Sequence, residues 1–220
     1  MPDPTSVCNE ALGELGQAPI FSFHDDTSIS TLCGQIYPTA RDATLEMYPW
    51  NFATRRAWLA RLAEPPAFGW SYSFGLPPDY LKARGTDRDH RSGGYMDFAI
   101  ELDETGHRVL LSNQQRVGLL YTAHVDDLNL WSPLAEQVLV KVLAGRLAKA
   151  ITGQSGTAEL KLKEAIGLLA EARHSDGREG TPNILRIPPR LVASRLTQGG
   201  GPIRYPLTYT VNGQPWPHSQ

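Results

Sequence analysis

Hydrophobic positions recur at helical spacing at both ends of the first 176 residues and at strand spacing between them. Val7, Cys8, Ala11, Leu12 and Leu15 share one face of a helix expected over about Thr5–Leu15, and Gly16 and Pro19 stop it. A second helix is expected from about Ser28 to Met47, with Ile29, Leu32, Cys33, Ile36, Tyr37, Ala40 and Met47 as its apolar stripe. Asp25, Asp26 and Ser28 are its capping candidates. Pro38 falls inside it and predicts a kink or a break, because proline removes one backbone bond and crowds the carbonyl of Gly34.

Between Trp50 and Leu62 the period fits a short helix or a strand. From Phe68 to Val125 the alternation is that of strands. "MDFAIELDETGHRVLLS" reads as a hairpin turning at Asp103–Gly106, and Leu119, Tyr121, Ala123 and Val125 share one side of a further strand. Together these predict a small antiparallel sheet, with the polar Gly85–Gly94 stretch as a long loop within it. Helix returns after Ser132, an N-cap candidate followed by Pro133. Leu134, Val138, Leu139, Val142, Leu143, Leu147, Ala150 and Ile151 give that helix a wide apolar face, as expected of a largely buried helix that Gly153 ends. The last helix is expected over about Thr157–His174, with Leu162, Ala165, Ile166, Leu169 and Ala172 inward and Glu159 paired with Lys163.

The expected class is therefore α+β: a four-helix bundle with an inserted small antiparallel β-domain and an extended C-terminal tail. Residues 1–49 and 129–176 supply the bundle helices, 50–128 the β insertion, and 177–220 a Pro/Gly-rich arm with one strand. In that arm Ile203, Tyr205, Leu207, Tyr209 and Val211 alternate with Arg204, Pro206, Thr208 and Thr210. Pro206 cannot donate to a ladder, which suits an edge strand added to another molecule. Burying about three large side chains there would contribute on the order of 5 kcal/mol before ordering costs. The candidate interface comprises these residues with Trp216 and the arginines Arg186, Arg190 and Arg195.

Composition narrows the function classes. With 220 residues, 41% hydrophobic and 20% charged, the chain has ordinary globular values. A net charge of −2 argues against general binding to nucleic acid or anionic membrane. No apolar run reaches the roughly 18 residues of a membrane-spanning helix, and no secretory signal is visible. Cys8 and Cys33 read as reduced, buried thiols. Catalytic motifs are missing: there is no G-x-S-x-G, no phosphate-cradling loop and no H-E-x-x-H. His24, Asp25 and Asp26 suit helix capping better than metal binding, and Asp87, Asp89 and His90 read as a solvated loop. Arg55 and Arg56 suit an ion pair or interface better than phosphate. Trp50, Trp58 and Trp70 read as core or interface anchors. No enzyme activity, cofactor or metal is expected.

Several segments carry a resemblance. "NEALGELG" (Asn9–Gly16), the helix reaching "ARD" (Ala40–Asp42) and the "PWNFA" exit (Pro49–Ala53) form its first part. "YSFGLPPDYLKARG" (Tyr72–Gly85) and "LLYTAHVDDLNLWSPLAEQVLVKVLAGRLAKAITG" complete it. Over roughly Cys8–Arg173 this resembles the tail tubular protein A family, the head-to-tail adaptors of tailed bacteriophages. The "DRDHRSGG" loop and the chain after Gly177 lie outside the family pattern. The resemblance implies a virion structural protein at the head–tail interface, assembled in the host cytoplasm. It would form a ring, usually of twelve copies, below the portal protein and seat the next tail component. Genomic DNA would pass through its lumen without specific binding, and no membrane would be involved. The rivals are another phage connector (a stopper or tail terminator), a virion-associated hydrolase and a DNA-binding helical regulator.

Overall fold

The computed structural model describes residues 2–87, 97–153, 155–179, 210–211 and 214–215. The chain divides into two units, Met1–Thr181 and Pro182–Gln220. In the first, the order is α1 (Pro4–Glu14), α2 (Ser28–Met47), β1 (Thr54–Trp58), β2 (Tyr72–Gly75), β3 (Tyr80–Thr86), β4 (Phe98–Leu102), β5 (Arg108–Ser112), β6 (Gly118–Ala123), α3 (Pro133–Thr152) and α4 (Ser155–Gly177). In the second, β7 (Thr210–Val211) pairs antiparallel with β8 (Gln214–Pro215).

Local chemistry sets the helix ends. Asp3 caps α1 in a reciprocal box with Ser6, and Pro4 opens the first turn. The cap of α2 is Thr27, whose hydroxyl accepts from the Ser30 amide at 3.1 Å; this corrects the expectation placed on Asp25, Asp26 and Ser28. The helix continues through Pro38 without a break. Ser132 caps α3 as expected, and Gly153 closes it in the left-handed region at φ 69°.

The four-helix bundle expected from the sequence is not present. Ten residues of α3 are buried, from Ala135 round through Val138–Val140, Val142–Gly145, Leu147 and Ala148, so this helix needs neighbours on most of its circumference, with Gln137, Arg146 and Lys149 left exposed. It takes α1, α2 and α4 as a hub would, while α1 and α2 meet only marginally. The inner face of α4 is narrow: Ala165 and Ala172 are buried, but Ile166 is 68% and Leu162 39% exposed. No shared seam of four helices results. The remaining cover of the core comes from links rather than helices, among them Trp50, Val125, Leu128 and Trp131. Rings step along this seam from Tyr48 to Trp50, Phe52 and Trp131 at centroid spacings of 5.1, 5.8 and 5.2 Å. Across the helix surfaces, Lys141 bridges Glu14 (2.6 Å) and Glu164 (3.0 Å), and Lys161 contacts the same two carboxylates at 3.3 Å each.

The β insertion is two three-stranded antiparallel sheets rather than one, in the orders β1-β6-β3 and β2-β5-β4. The ambiguous Trp50–Leu62 stretch supplies β1 and then crosses between sheets. Leu59 donates to Val117 O (3.0 Å), Leu62 donates to Ser73 O (2.9 Å), and Ala60 O accepts from Gly75 (2.9 Å). Phe74 and Leu110 of one sheet share a core with Leu119, Tyr121 and Ala123 of the other. The expected hairpin turn is present: Asp103 N donates to His107 O at 2.9 Å, and Gly106 takes φ 82°.

Candidate interaction surfaces

Two joints organise the surface of the first unit. At the first, Asn9 of α1 reaches eleven residues forward: its side-chain oxygen accepts from Ile20 N (2.8 Å) and its amide donates to Ile20 O (2.9 Å). The Asp25 carboxylate then accepts from Phe21 N (2.8 Å) and Ser22 N (3.0 Å). Three successive amides of the α1–α2 turn are thus held by side chains. Ile20 points inward and is buried, while the Phe21 ring is 96% exposed. Alternation at the end of a clamped turn puts that ring in solvent.

The second joint ties the helices to the β insertion at the C-terminal end of α2. The Trp50 indole donates to Thr44 O at 2.9 Å, and the Arg84 guanidinium of β3 donates to Tyr48 O at 2.7 Å and to Thr122 Oγ1 at 2.5 Å. Carbonyls left over at the helix end are satisfied by side chains, one of them cationic. Burial lowers the Arg84 pKa, against the pull of nearby Glu46. The buried Asp176 near the end of α4 accepts from Asn51 N at 3.1 Å, and Asn51 Nδ2 donates to Asp176 O at 2.7 Å. Burial raises the Asp176 pKa, although the Asn51 amide opposes the shift.

Charged groups singled out in the sequence resolve into structural roles. Arg55 pairs with Asp79 at 2.5 Å, and the same carboxylate accepts from the Tyr121 hydroxyl at 3.0 Å. Burial, and then that hydrogen bond, pushes the Tyr121 pKa up to about 12. Arg41 contacts Asp42 and Asp126, and the His124 ring lies 3.2 Å from each of those carboxylates, joining α2 to the link before α3. Cys8 and Cys33 are buried and unbridged; hydrogen bonding with Cys33, then burial, raises the Cys8 thiol above its usual value. Trp50 is a core anchor, whereas Trp58 is half out and covered by the Arg116 guanidinium, 3.8 Å from its ring centre.

The interface nominated from the sequence falls almost wholly outside the described residues. Ile203, Arg204, Tyr205, Leu207, Tyr209, Trp216, Arg186, Arg190 and Arg195 lie outside the described residues, as do Asp89 and His90. Of the nominated strand, Thr210 and Val211 pair with Gln214 and Pro215. The sequence reading missed Asn9, Phe21, Arg84 and Asp176. Asn9 and Asp176 carried no local signal, because their partners lie 11 and 125 residues away. Asp25 was noticed for the wrong task.

An apolar depression of about 410 Å³ opens at one end of the second sheet, between the β2–β3 link and the β4–β5 hairpin. Leu62, Leu76, Pro77 and Val109 line it, with Asp103, His107 and Arg108 also on its walls. A smaller one of about 330 Å³ lies over Tyr48, Ala170, Arg173 and His174. Among the described residues, no group of three or more His, Cys, Asp or Glu is placed to hold a metal ion, and no helix is long and apolar enough to cross a membrane. No model of a known protein family matches this chain, and no curated protein matches it significantly.

Proposed function

We propose that the protein is a head-to-tail adaptor of a tailed bacteriophage: a ring subunit that sits below the portal, extends the DNA channel and seats the next tail component. The observation that carries this reading is where the segments resembling the family fall. "NEALGELG" contains Asn9, which clamps the α1–α2 turn, and "PWNFA" contains Trp50, which closes α2 and starts the seam to the β insertion. "YSFGLPPDYLKARG" contains Arg84, which ties that insertion to α2. These residues act on the relative placement of elements, which is what a scaffold subunit requires of its sequence. Function on this reading is structural and non-catalytic. The near-neutral chain suits a lumen through which DNA must slide, since strong phosphate binding would retard it. In the arm, Ile203–Val211 serves as a strand added to a neighbouring ring subunit or the portal.

The test is the mass and symmetry of purified protein, alone and mixed with its portal protein, by native mass spectrometry and electron microscopy. Twelve copies seated on the portal is the expected result. A chain that stays monomeric and never associates with portal, or one with reproducible hydrolytic turnover, would sink the proposal.

A further inference from the structure

We propose that the free edge of β4 in one copy receives the arm segment Ile203–Thr208 of a neighbouring copy, antiparallel, as a fourth strand on the sheet β2-β5-β4. The inference rests on the ring reading above and names the edge on which neighbouring subunits lock. Among the described residues, β1, β3 and β4 each have one edge that carries no strand. The outer edge of β2 is covered by the crossing at residues 60–62, through Leu62 N to Ser73 O and Gly75 N to Ala60 O, both 2.9 Å. Strand β1 presents exposed Arg55 and Arg56, and β3 presents exposed Lys82 with half-buried Arg84. Strand β4 is the acidic edge: Glu101 is exposed on it, and exposed Asp97 and Glu104 flank it. Asp103 joins them in the turn, against an exposed Arg108 that lies on β5, one strand in from the edge. Residues 87–96 add two aspartates and two arginines and leave that sign unchanged. The arm has Arg186, Arg190, Arg195 and Arg204 and no acid after Glu179, so of the three edges β4 is the one that attracts it.

Backbone direction sets the register. Asp103 N donates to His107 O at 2.9 Å, continuing the pairing that sets Leu102 opposite Arg108 and Ile100 opposite Leu110. On the same side of the strand, Asp97 O accepts from Ser112 Oγ at 3.4 Å. Bonding direction alternates along a strand, so Ala99 and Glu101 face β5, and the N–H and C=O groups of Phe98, Ile100 and Leu102 face the open edge. The side chains of Phe98 and Ile100 pack on the core shared by the two sheets, and Leu102, in line with them, is 67% exposed. An added strand that bonds to this edge and extends its apolar face must therefore set apolar residues with free N–H groups opposite these three. In the arm, Pro206 lacks an N–H and must face away from the ladder. That turns the amides of Arg204 and Thr208 away with it and leaves Ile203, Tyr205 and Leu207, the apolar residues, as the bonding ones. The antiparallel register that sets Arg204 opposite Glu101 places Ile203 opposite Leu102, Tyr205 opposite Ile100, Leu207 opposite Phe98 and Pro206 opposite the small Ala99. A slip of one residue would call on the missing donor of Pro206 and turn the apolar side chains to the other face. Pairing of Thr210–Val211 with Gln214–Pro215 begins beyond this register. Residues 180–202 reach about 80 Å at full extension, against a width of about 40 Å for a domain of this length, so the arm can cross to a second copy. Each copy offers both an arm and an edge, and repetition of such a heterologous contact closes into a ring when the rotation allows.

Mixed cross-linking tests the contact. Opposed residues of a non-hydrogen-bonded antiparallel pair have Cα atoms about 4.5 Å apart, within the range a disulfide spans. Full-length Ala99→Cys and Pro206→Cys chains are therefore oxidised with glutathione disulfide, which is reduced to two thiols for each bond formed. They are treated separately and as an equal mixture, in free protein and on the portal; the buried native thiols of wild type give the background. The expected result is a covalent dimer specific to the mixture, a ladder of higher species from the double variant, and little product when Thr208→Cys, two residues out of register, replaces Pro206→Cys. No mixture-specific dimer in either setting overturns the inference, as does a double variant that closes only on itself, or equal yield from Thr208→Cys. In parallel, Glu101→Arg and Arg204→Glu should each weaken self-association by about threefold or more, and the two together should restore it; a double variant no better than the singles counts against the register. Failure is separable from failure of the ring reading: a ring on the portal without the cross-link removes only this contact. The cross-link without any portal association removes the adaptor function and leaves the contact standing.

Discussion

Asp176 is an acid placed where charge is disfavoured. Its burial raises the carboxyl pKa above the unfolded value, so the native state holds that proton more tightly than the unfolded chain does. The sign follows: this group adds stability as pH falls through its raised pKa, and subtracts it as pH rises and the carboxylate ionises in the core. Asn51 N and its hydrogen bond reduce that penalty without removing it. Asp176→Asn keeps an acceptor for Asn51 and removes the charge. Its melting temperature at pH 7 should therefore equal or exceed that of wild type, and the stability gained by wild type on mild acidification should shrink. Asp176→Ala leaves the Asn51 amide without its acceptor and should cost about 1–3 kcal/mol at pH 7. Thermal melts of the three proteins across pH 4–8 separate these outcomes; an alanine variant as stable as the asparagine one would deny the bond its role.

Helices α3 and α4 pack closely at Gly145. A Cβ there would lie 2.8 Å from Leu162 Cγ and 2.9 Å from Leu162 Cδ2, so the glycine is where the two helices need room. Gly145→Ala gains up to about 1 kcal/mol of helix propensity but forces Leu162 aside, at a typical overpacking cost of about 1–3 kcal/mol. The single variant should be destabilised, and Gly145→Ala with Leu162→Ala should be more stable than the sum of the two singles. Urea unfolding through the four-protein cycle measures that coupling, and strict additivity would mean the contact has no energetic consequence. Elements of this kind were legible where a period and its punctuation agreed. Ser132, Pro133 and Gly153 bracket α3, and the Asp103–Gly106 turn fixed the β4–β5 hairpin. Their arrangement was less legible, because a hydrophobic period gives the width of a buried face and not the identity of what covers it. The apolar circumference of α3 did imply several neighbours. It could not reveal that α4 would present small residues and leave Ile166 in solvent, nor that Trp50, Val125, Leu128 and Trp131 would cover the core in place of a helical seam. Similarly, alternation showed strands but not two sheets, since the crossing at residues 59–62 rests on backbone bonds that side-chain pattern does not encode.

At the scale of the whole molecule, the two units carry different sequence patterns. Among the described residues, the fully buried large side chains run from Val7 to Leu147 within the unit Met1–Thr181, and the last buried residue of α4 is Asp176. The core described within Met1–Thr181 predicts that this unit folds once residues 182–220 are removed. The arm instead carries four arginines, no acid and an alternating apolar strand, composition that fits a partner's surface better than a solvent-facing end. A chain ending at Thr181 should therefore melt in one cooperative transition, its midpoint within about 2–4 °C of the full-length protein, the equivalent of roughly 1 kcal/mol at this size. Its association with portal should fall sharply, and Leu207→Asp with Tyr209→Asp in the full chain should reproduce that loss by placing charge on the face that binds. Calorimetry and portal co-sedimentation on the same preparations read the two properties independently. A truncated chain that melts without cooperativity would place part of the core beyond Thr181, and one that binds portal as tightly as the full chain would leave the arm without an assembly role.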